Sequence, residues 1–324
     1  MIVFNGDLIA AGSFTSIGGV FTTGGVARWN GKTWSPFGSQ PISRMLVHEG
    51  ELYAAGSFGD TSHVRRWDGK SQTWLPVGAF QPNVAITVIT VFNGQLVAAG
   101  IGGVGVNASV WRFDGAQWQP IGQHLGFATV QALAVYNGEL IAGGYSSPGM
   151  PNGGVRFNGT SWVTLGGGLY LSNDITADTL AVFDLLVHNG DLIVAGSFGH
   201  AGEQQYVPGS VTANHLARWD GSAWHAFGTG LNDASVCLHA HQGQIHVGGW
   251  FDTAGGRPAA HWARWGIDRD CAADVNCDAA VNSQDFFDFL SAFFANDLDA
   301  DFNADGAINS PDFFDFLAAF FAGC

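Results

Sequence analysis

One short pattern recurs six times along the chain, and this repetition restricts the possible folds more than any other feature. A turn ending in glycine is followed each time by an apolar stretch. The turn glycines are Gly6, Gly50, Gly94, Gly138, Gly190 and Gly243, spaced 44, 44, 44, 52 and 53 residues apart. Such a period is typical of folds that stack one supersecondary unit against the next.

Each copy contains the signals for two hairpins. The first is Asn-Gly in four copies, which favours a tight turn because both residues tolerate positive φ. The second is Trp-Asp-Gly or a variant, followed in five copies by a further tryptophan at position 34, 74, 118, 162 or 224. Each unit is therefore predicted to be a four-stranded antiparallel meander.

A single sheet of this kind cannot bury both faces, whereas radially arranged sheets can. We predict an all-β, six-bladed β-propeller over residues 1–267, with four-stranded antiparallel blades and aromatic side chains between them. The sixth copy ends at Arg264-Trp265 and lacks its last strand. We expect a last blade lacking a strand, and a natural N-terminus upstream of Met1 that carries the closing strand and a secretion signal.

The repeat resembles those of bacterial kelch-like and polarity-marker-like propellers. It shares the pattern N-G-[DEQ]-L-I-x-[AG]-G followed by R-[WF]-[DN]-G-x-x-W, whereas the Gly-His dipeptide of WD40 repeats does not precede its Trp-Asp pairs. The resemblance covers about residues 1–266 and implies an architecture, but no activity.

Antiparallel order places both tight turns of every blade at one end and all long connections at the other. The long connections vary in length, and variable loops on a rigid scaffold are the usual location of binding residues. We expect ligand binding on this loop face. The candidate glycan-binding residues are Tyr170, Asp174, Asp178, Glu203 and Tyr206, with plain solvated loops as the alternative.

The last 57 residues have a different character: residues 268–324 hold twelve aspartates against one arginine. Oxygen-bearing side chains occur there twice at positions 1, 3, 5, 9 and 12 of a twelve-residue loop, with a backbone carbonyl expected at position 7. This spacing surrounds Ca²⁺ with hard oxygen ligands. The predicted ligands of two calcium ions are Asp274, Asn276, Asp278, Ala280, Asn282 and Asp285, then Asp301, Asn303, Asp305, Ala307, Asn309 and Asp312. An acidic linker is the alternative.

These paired loops resemble bacterial dockerins, which use Asp at position 12, and the terminal Gly323-Cys324 is similar to one bacterial type. The resemblance implies a small all-α domain over residues 268–324 that docks to a cohesin-like protein or the cell envelope. It implies recognition through loop positions 10 and 11, here Ser283, Gln284, Ser310 and Pro311. Ala279 replaces the usual turn glycine of the first loop, so we predict tighter calcium binding by the second.

Helices are predicted over Asp285–Ala295 and Asp312–Ala322. Their phenylalanines, at i, i+1, i+3, i+7 and i+8, form a stripe too wide for one small contact. We expect most of these rings to form a two-helix core and the others to face a partner.

Three of the four cysteines lie in the tail. A disulfide between Cys271 and Cys324 would close a loop of roughly 50 residues and stabilise the fold by about 3–4 kcal/mol. Cys277 competes for either partner, so the connectivity stays open. A disulfide is typical of an oxidising, extracellular or cell-surface location.

Other repeated residues are interpreted as structural. The six arginines before the aromatic residue could form an anion-binding ring, but inter-blade stacking or turn capping is the simpler role. Seven acidic residues are interpreted as turn formers: Asp7, Glu51, Asp68, Asp114, Glu139, Asp191 and Asp220. His239, His241 and His246 meet on one face of a hairpin and could form an incomplete zinc-like site.

The sequence favours binding over catalysis, because it shows no catalytic triad, phosphate-binding loop or cofactor motif. Its acidity disfavours nucleic acid and anionic membranes as partners, and no apolar run is long enough to span a bilayer. The leading hypothesis is a secreted or surface-anchored protein whose propeller recognises a glycan or protein and whose tail docks to a partner. The alternatives are a dockerin-bearing polysaccharide-degrading enzyme and a non-catalytic architectural surface protein.

Overall fold

The computed structural model describes residues 1–324 except 23, 57, 61, 81–83, 102–109, 123, 124, 126, 147–152, 172–179, 204–207, 242, 266–272, 274, 276–280, 296–299, 301, 304–306, 323 and 324. Within this described part, two C-terminal α-helices follow thirty β-strands. The strands of each repeat pair in antiparallel order. This pairing agrees with the meander predicted from the two turn signals.

Three sheets have four strands each, and an eight-stranded sheet consists of two further four-stranded units joined by the single pairing of Tyr145 with Ala181. These five units are called sheets 1 to 5 below. Sheet 1 consists of Ile2–Phe4, Asp7–Ala11, Val26–Trp29 and Trp34–Pro36, and sheet 2 of Ile42–His48, Glu51–Gly56, Val64–Asp68 and Thr73–Pro76. Sheet 3 consists of Ala85–Phe92, Gln95–Ile101, Val110–Phe113 and Trp118–Pro120. Sheet 4 consists of Phe127–Tyr136, Glu139–Ser146, Gly154–Phe157 and Trp162–Thr164, and sheet 5 of Ala181–His188, Asp191–Ser197, Leu216–Trp219 and Trp224–Ala226.

Sheet 6 has three strands in the described part of the chain: Ser235–His241, Gln244–Gly249 and Trp262–Trp265. The long connections carry short extra strands, which are Ser16–Ile17, Val20–Phe21, Leu169–Tyr170, His200–Ala201, Val211–Thr212, Thr253–Ala254 and Arg257–Pro258.

The first hairpin turns form as predicted because their asparagines adopt the left-handed conformation. Asn5, Asn93, Asn137 and Asn189 have φ values of 51°, 50°, 48° and 48°. Glu49 has the same conformation, with φ 51°, where sheet 2 lacks the asparagine. The following glycine also has positive φ at each of these turns, which is the requirement of a tight two-residue hairpin.

The second hairpin turns are closed by the side chain of their Asp or Asn. At Asp114, for example, one carboxylate oxygen accepts the N–H groups of Ala116 and Gln117 at 2.9 and 2.7 Å. Asp68 and Asp220 accept N–H groups in the same way, which confirms their predicted role as turn formers.

The turn-forming role predicted for the other four acidic residues was wrong. Each of them begins a second strand and faces the arginine of the neighbouring third strand on the same side of the sheet. The ion pairs are Arg28–Asp7 at 3.5 Å, Arg66–Glu51 at 3.8 Å, Arg156–Glu139 at 2.7 Å and Arg218–Asp191 at 2.9 Å. Four of the six repeated arginines are thus engaged within their own sheets.

The hydrophobic core lies between successive sheets, where five clusters of buried residues join sheet 1 to sheet 2 and so on to sheet 6. Aromatic residues fill these interfaces, as predicted: Phe37 of sheet 1 lies 4.1 Å from Trp67 of sheet 2, between ring centroids. A Cβ on Gly38 would lie 2.5 Å from Trp74 Nε1, so this close approach requires glycine.

The sheets are arranged like the blades of a propeller. The first strands of consecutive sheets contact one another from sheet 1 to sheet 6. The charge of Arg44 in sheet 2 also acts on Asp184 in sheet 5, although two sheets separate them in sequence. The chain is therefore mainly β and propeller-like, with five complete four-stranded blades.

The tail contains helices α1 (Ser283–Ala295) and α2 (Ser310–Ala322). Each begins two residues earlier than predicted; before α1, the Asn282 side chain accepts the N–H of Gln284 at 2.8 Å, as an N-cap residue does. The helices form a core of their own around Phe289 and Phe316. Neither helix is long enough to cross a membrane.

Candidate functional site

The two aspartates at loop position 12 are the best-defined candidate site residues. Asp285 and Asp312 are both fully buried, and each lies in the first turn of its helix. Asp285 Oδ2 accepts the N–H of Asn282 at 2.9 Å, and Asp312 Oδ2 accepts that of Asn309 at 2.8 Å. The two halves of the tail therefore hold their position-12 carboxylates in the same way.

The Asp312 carboxyl is held in its charged form. Burial alone would raise its pKa, but the N–H groups of Asn309, Asn303 and Phe302 outweigh that effect and lower the pKa below its ordinary value. Asn303 donates to the second carboxylate oxygen at 3.1 Å. The loop backbone thus fixes an ionised carboxylate at the start of α2.

The charge balance of the tail fits a hard cation. Residues 271–324 contain ten aspartates and no Lys, Arg or His, so the sequence provides no side-chain countercharge there. Burying carboxylates without a countercharge is costly, and carboxylate and carbonyl oxygens are the ligands that Ca²⁺ prefers.

Half of the predicted calcium ligands lie in the described part of the chain, namely Asn282, Asp285, Asn303, Ala307, Asn309 and Asp312. The other predicted ligands, Asp274, Asn276, Asp278, Ala280, Asp301 and Asp305, lie outside the described residues, as do Cys271 and Cys324. Within the described residues, no three His, Cys, Asp or Glu side chains are placed to hold a metal ion.

The predicted docking residues are exposed. Ser283, Gln284, Ser310 and Pro311 all lie in the first turns of the helices, because the helices begin earlier than predicted. Four phenylalanines share this exposure: Phe287, Phe294, Phe314 and Phe321 are 60%, 80%, 64% and 81% exposed. The stripe is thus divided as predicted, into buried core rings and outward rings at the i+1 and i+8 positions.

The loop face carries an aromatic cluster that the sequence analysis missed. Tyr145 of sheet 4 and Phe183 of sheet 5 lie 5.5 Å apart, and Phe183 lies 6.0 Å from Trp250, which follows the second strand of sheet 6. Trp250 is 60% exposed. Three sheets therefore present one aromatic surface at the end where the long connections lie.

A comparison of repeat copies could have found this cluster. The residue that follows the last glycine of each second strand is Ser13, Ser57, Ile101, Tyr145, Ser197 or Trp250. Tyr145 and Trp250 are large aromatic residues where three other copies have serine, and the 60% exposure of Trp250 favours contact with something other than the core.

Asp184 in the first strand of sheet 5 has an unusual environment. Burial raises the pKa of its carboxyl, although the N–H groups of Leu238 and Leu185 and the charge of Arg44 act in the opposite direction. The N–H of Leu238 lies 2.9 Å from Oδ2, so this carboxylate links sheet 5 to sheet 6.

Two of the predicted glycan-binding residues are described and lie close together. The Tyr170 hydroxyl donates to the Gly167 carbonyl at 2.9 Å. Burial raises the pKa of Tyr170, and the charge of Glu203 raises it further. Asp174, Asp178 and Tyr206 lie outside the described residues.

The predicted histidine cluster is present on the outer face of sheet 6. His239 pairs with His246 across the hairpin, and the ring centroids of His241 and His246 are 6.1 Å apart. Burial lowers the pKa of His246, and its electrostatic interactions with His241, Arg264 and His239 lower it further. In the described part of the chain, these three histidines are not placed to hold a metal ion together. The zinc-like alternative therefore gains no support.

A cleft of about 310 Å³ lies between sheets 4 and 5, and its lining includes Tyr136, Glu139 and Arg156. Glu139 is paired with Arg156 and is the one carboxylate in the lining. Glycoside hydrolysis generally needs two carboxyl groups facing the substrate. This cleft therefore does not have the arrangement of a hydrolase site.

Comparison with known proteins finds similarity among solved structures. No family model matches the chain, and no curated protein matches it. A solved structure titled "Structure of U3-55K" is similar over 70% of this chain, with 16% sequence identity and a TM-score of 0.43. The match covers 61% of that chain, less than two thirds of its length. The propeller-like assignment therefore rests on the strand pairing described above, and the resemblance to kelch-like and dockerin families stays a prediction.

Proposed function

We propose that this protein is a calcium-dependent docking protein, in which a six-bladed propeller with an incomplete last blade displays a binding surface and the dockerin-like tail attaches it to a partner. The observation that carries the proposal is the equivalent burial of Asp285 and Asp312, each fixed by loop N–H groups at the start of a helix. Calcium would be held by oxygens of the two loops, with these aspartates as the position-12 ligands.

Calcium would supply the positive charge that residues 271–324 lack. When it binds, it would draw the loop carboxylates together and fix the loops against the helices. The exposed first turns and the outward phenylalanines would then form the surface for a cohesin-like protein or envelope component. An extracellular location is part of this proposal, because millimolar calcium is available to such modules there.

Native mass spectrometry of the full chain tests the metal site. We expect two calcium ions per chain, and one ion each in Asp285→Asn and Asp312→Asn. Asp315→Asn is the matched control, because Asp315 is an exposed aspartate of α2 one turn away. Loss of an ion in the control, or retention of both ions in the other two variants, would contradict the assignment.

The loop face is proposed to bind a glycan or protein through Tyr145, Phe183 and Trp250. Aromatic rings offer large, rigid surfaces that suit both sugars and proteins, and Trp250 is already exposed. Tyr170 lies on the connection from sheet 4 to sheet 5, and Glu203 lies on the connection between the second and third strands of sheet 5. Both would extend this surface.

A glycan array with the full chain tests the loop face. Trp250→Ala is expected to abolish binding, whereas Ile101→Ala, at the same repeat position in sheet 3 and also exposed, is expected to leave it intact. A reducing-sugar assay on each bound glycan separates recognition from hydrolysis. Sugar release would favour the polysaccharide-degrading enzyme. The absence of both glycan binding and sugar release would favour a protein ligand or an architectural role.

A further inference from the structure

Sheet 6 differs from the other five sheets at one edge. In sheets 1 to 5, a fourth strand pairs with the third and places a tryptophan opposite its last aromatic residue, as in Trp29 with Trp34 and Trp219 with Trp224. In sheet 6, no described strand pairs with the outer side of Trp262–Trp265. This strand is also the most exposed of the six third strands, with Trp262 55% exposed.

The backbone of this edge is positioned to accept a strand. Hydrogen bonds alternate sides along an antiparallel strand. His261 bonds inward to Gly249, so the next residues alternate and the N–H of Arg264 points outward. Unpaired edge groups of this kind are a template for an added strand.

At the junction between sheets 5 and 6, no described side chain fills the space that a tryptophan occupies at the other junctions. In four junctions the glycine after the fourth strand lies directly under the second tryptophan of the next sheet. A Cβ would lie 2.5 Å from Trp74 at Gly38, 3.0 Å from Trp118 at Gly78, 2.7 Å from Trp162 at Gly122 and 2.6 Å from Trp224 at Gly166. Gly228 holds the same position after sheet 5, with a similar φ of +55°, yet a Cβ there would meet nothing within 4 Å.

The backbone around Gly228 has the same hydrogen bond as the junction in which a tryptophan is present. Between sheets 4 and 5, Gly168 donates to the Leu165 carbonyl at 2.9 Å, and Trp224 Nε1 donates to the Gly166 carbonyl at 2.7 Å. After sheet 5, Gly230 donates to the Phe227 carbonyl at the same 2.9 Å. The indole N–H donates to the residue before the glycine at Trp118 and Trp162 and to the glycine itself at Trp224, so the carbonyls of Phe227 and Gly228 are the expected acceptors.

We propose that, in place of the closing strand expected upstream of Met1, an extended segment of a partner polypeptide with the pattern Trp-x-x-apolar-Gly occupies the outer edge of Trp262–Trp265 and the gap at Gly228. All five fourth strands of this chain have that pattern, beginning at Trp34, Trp74, Trp118, Trp162 and Trp224. The partner backbone would pair with the edge, and its tryptophan would lie opposite Trp265 and over Gly228. This proposal does not depend on calcium or on the loop face.

A labelled peptide with the sequence of residues 32–39, KTWSPFGS, tests the site by fluorescence anisotropy with the full chain. We expect saturable binding at one site per chain. Replacing the peptide tryptophan by alanine should weaken binding by about thirtyfold or more, since a buried tryptophan is a typical hot spot. No saturable binding, or equal binding of both peptides, would overturn the proposal.

Two variants of the chain locate the peptide. Arg264→Pro removes the outward N–H and should abolish binding, whereas Arg264→Ala keeps that N–H and should bind as the unmodified chain does. Binding that survives Arg264→Pro would overturn the proposal. If this variant fails to fold, the comparison of the tryptophan and alanine peptides on the unmodified chain still tests the proposal. A chain that sediments as a dimer and releases monomers on peptide addition would show that a second copy fills the edge, which would overturn the assignment to a separate partner.

Discussion

The rings of Phe289 and Phe316 lie parallel at the centre of the tail, with centroids 4.0 Å apart and planes inclined by 6°. Each is fully buried, and the two occupy the same position in loop-helix units that are 27 residues apart. The two helices therefore meet through a self-complementary contact between equivalent residues. This contact makes the tail a single small core rather than two independent helices.

Phe289→Ala is expected to destabilise the tail by about 3–5 kcal/mol, the usual cost of removing a buried phenylalanine. Phe287→Ala is the matched control, because its ring is 60% exposed and its removal should change stability by less than about 0.5 kcal/mol. Helical circular dichroism during urea unfolding measures both. Equal losses would contradict the core assigned here.

Gly166→Ala is expected to destabilise the propeller more than Gly228→Ala. Both glycines have similar φ values, +51° and +55°, so an alanine costs similar backbone strain at each, about 1–2 kcal/mol. At Gly166 the new methyl group would also lie 2.4 Å from Trp219, and overpacking adds about 1–3 kcal/mol. Denaturant unfolding of the two variants gives the difference, and equal values would contradict the junction geometry.

Much of the propeller-like fold could be predicted from sequence because its determinants are local. The conformation of Asn137 and the turn closure by Asp114 depend on residues within three positions along the chain. The absence of a second tryptophan in the last repeat agrees with the three strands that the described residues form in sheet 6.

The sequence analysis missed two kinds of contact: ion pairs that depend on strand register, and contacts between residues of different sheets. Asp7 faces Arg28 only because the second and third strands align Ile9 with Arg28, and the sequence pattern alone does not fix that alignment. Tyr145, Phe183 and Trp250 are far apart in sequence and meet because three sheets share one end. Their proximity could not be read from any single repeat.

Lower pH should destabilise the propeller through His215. This side chain is 3% exposed, and burial lowers its pKa below the ordinary 6.5 despite opposing effects of Asp233 and Gly196. The unfolded chain binds a proton near pH 6.5 and the folded chain only at lower pH. Its stabilising contribution is therefore complete above pH 6.5 and is lost as the pH falls through that value towards the folded pKa.

His215→Asn should flatten this pH dependence, and asparagine tolerates the φ of +65° found there. His261 is the matched control, because it occupies the same position before the third strand of sheet 6, with φ +62°, but is exposed. Urea unfolding at pH 7 and pH 5.5 compares the variants. An unchanged slope in His215→Asn would contradict the assignment.

The second calcium loop is expected to bind more tightly than the first, because Gly306 permits the sharp turn at position 6 where the first loop has Ala279. Asp305→Ala should therefore remove the higher-affinity step in a calorimetric calcium titration. Asp278→Ala, at the same position of the first loop, should remove the weaker step. The reverse order would refute this ranking.

Hydrogen exchange of the full chain, followed by mass spectrometry with excess calcium and with chelator, tests the calcium-dependent tail most directly. If calcium fixes the two loops against α1 and α2, peptides from residues 268–324 will exchange more slowly in calcium, while peptides from the six sheets will be unaffected. Identical exchange of the tail in both conditions would contradict the account.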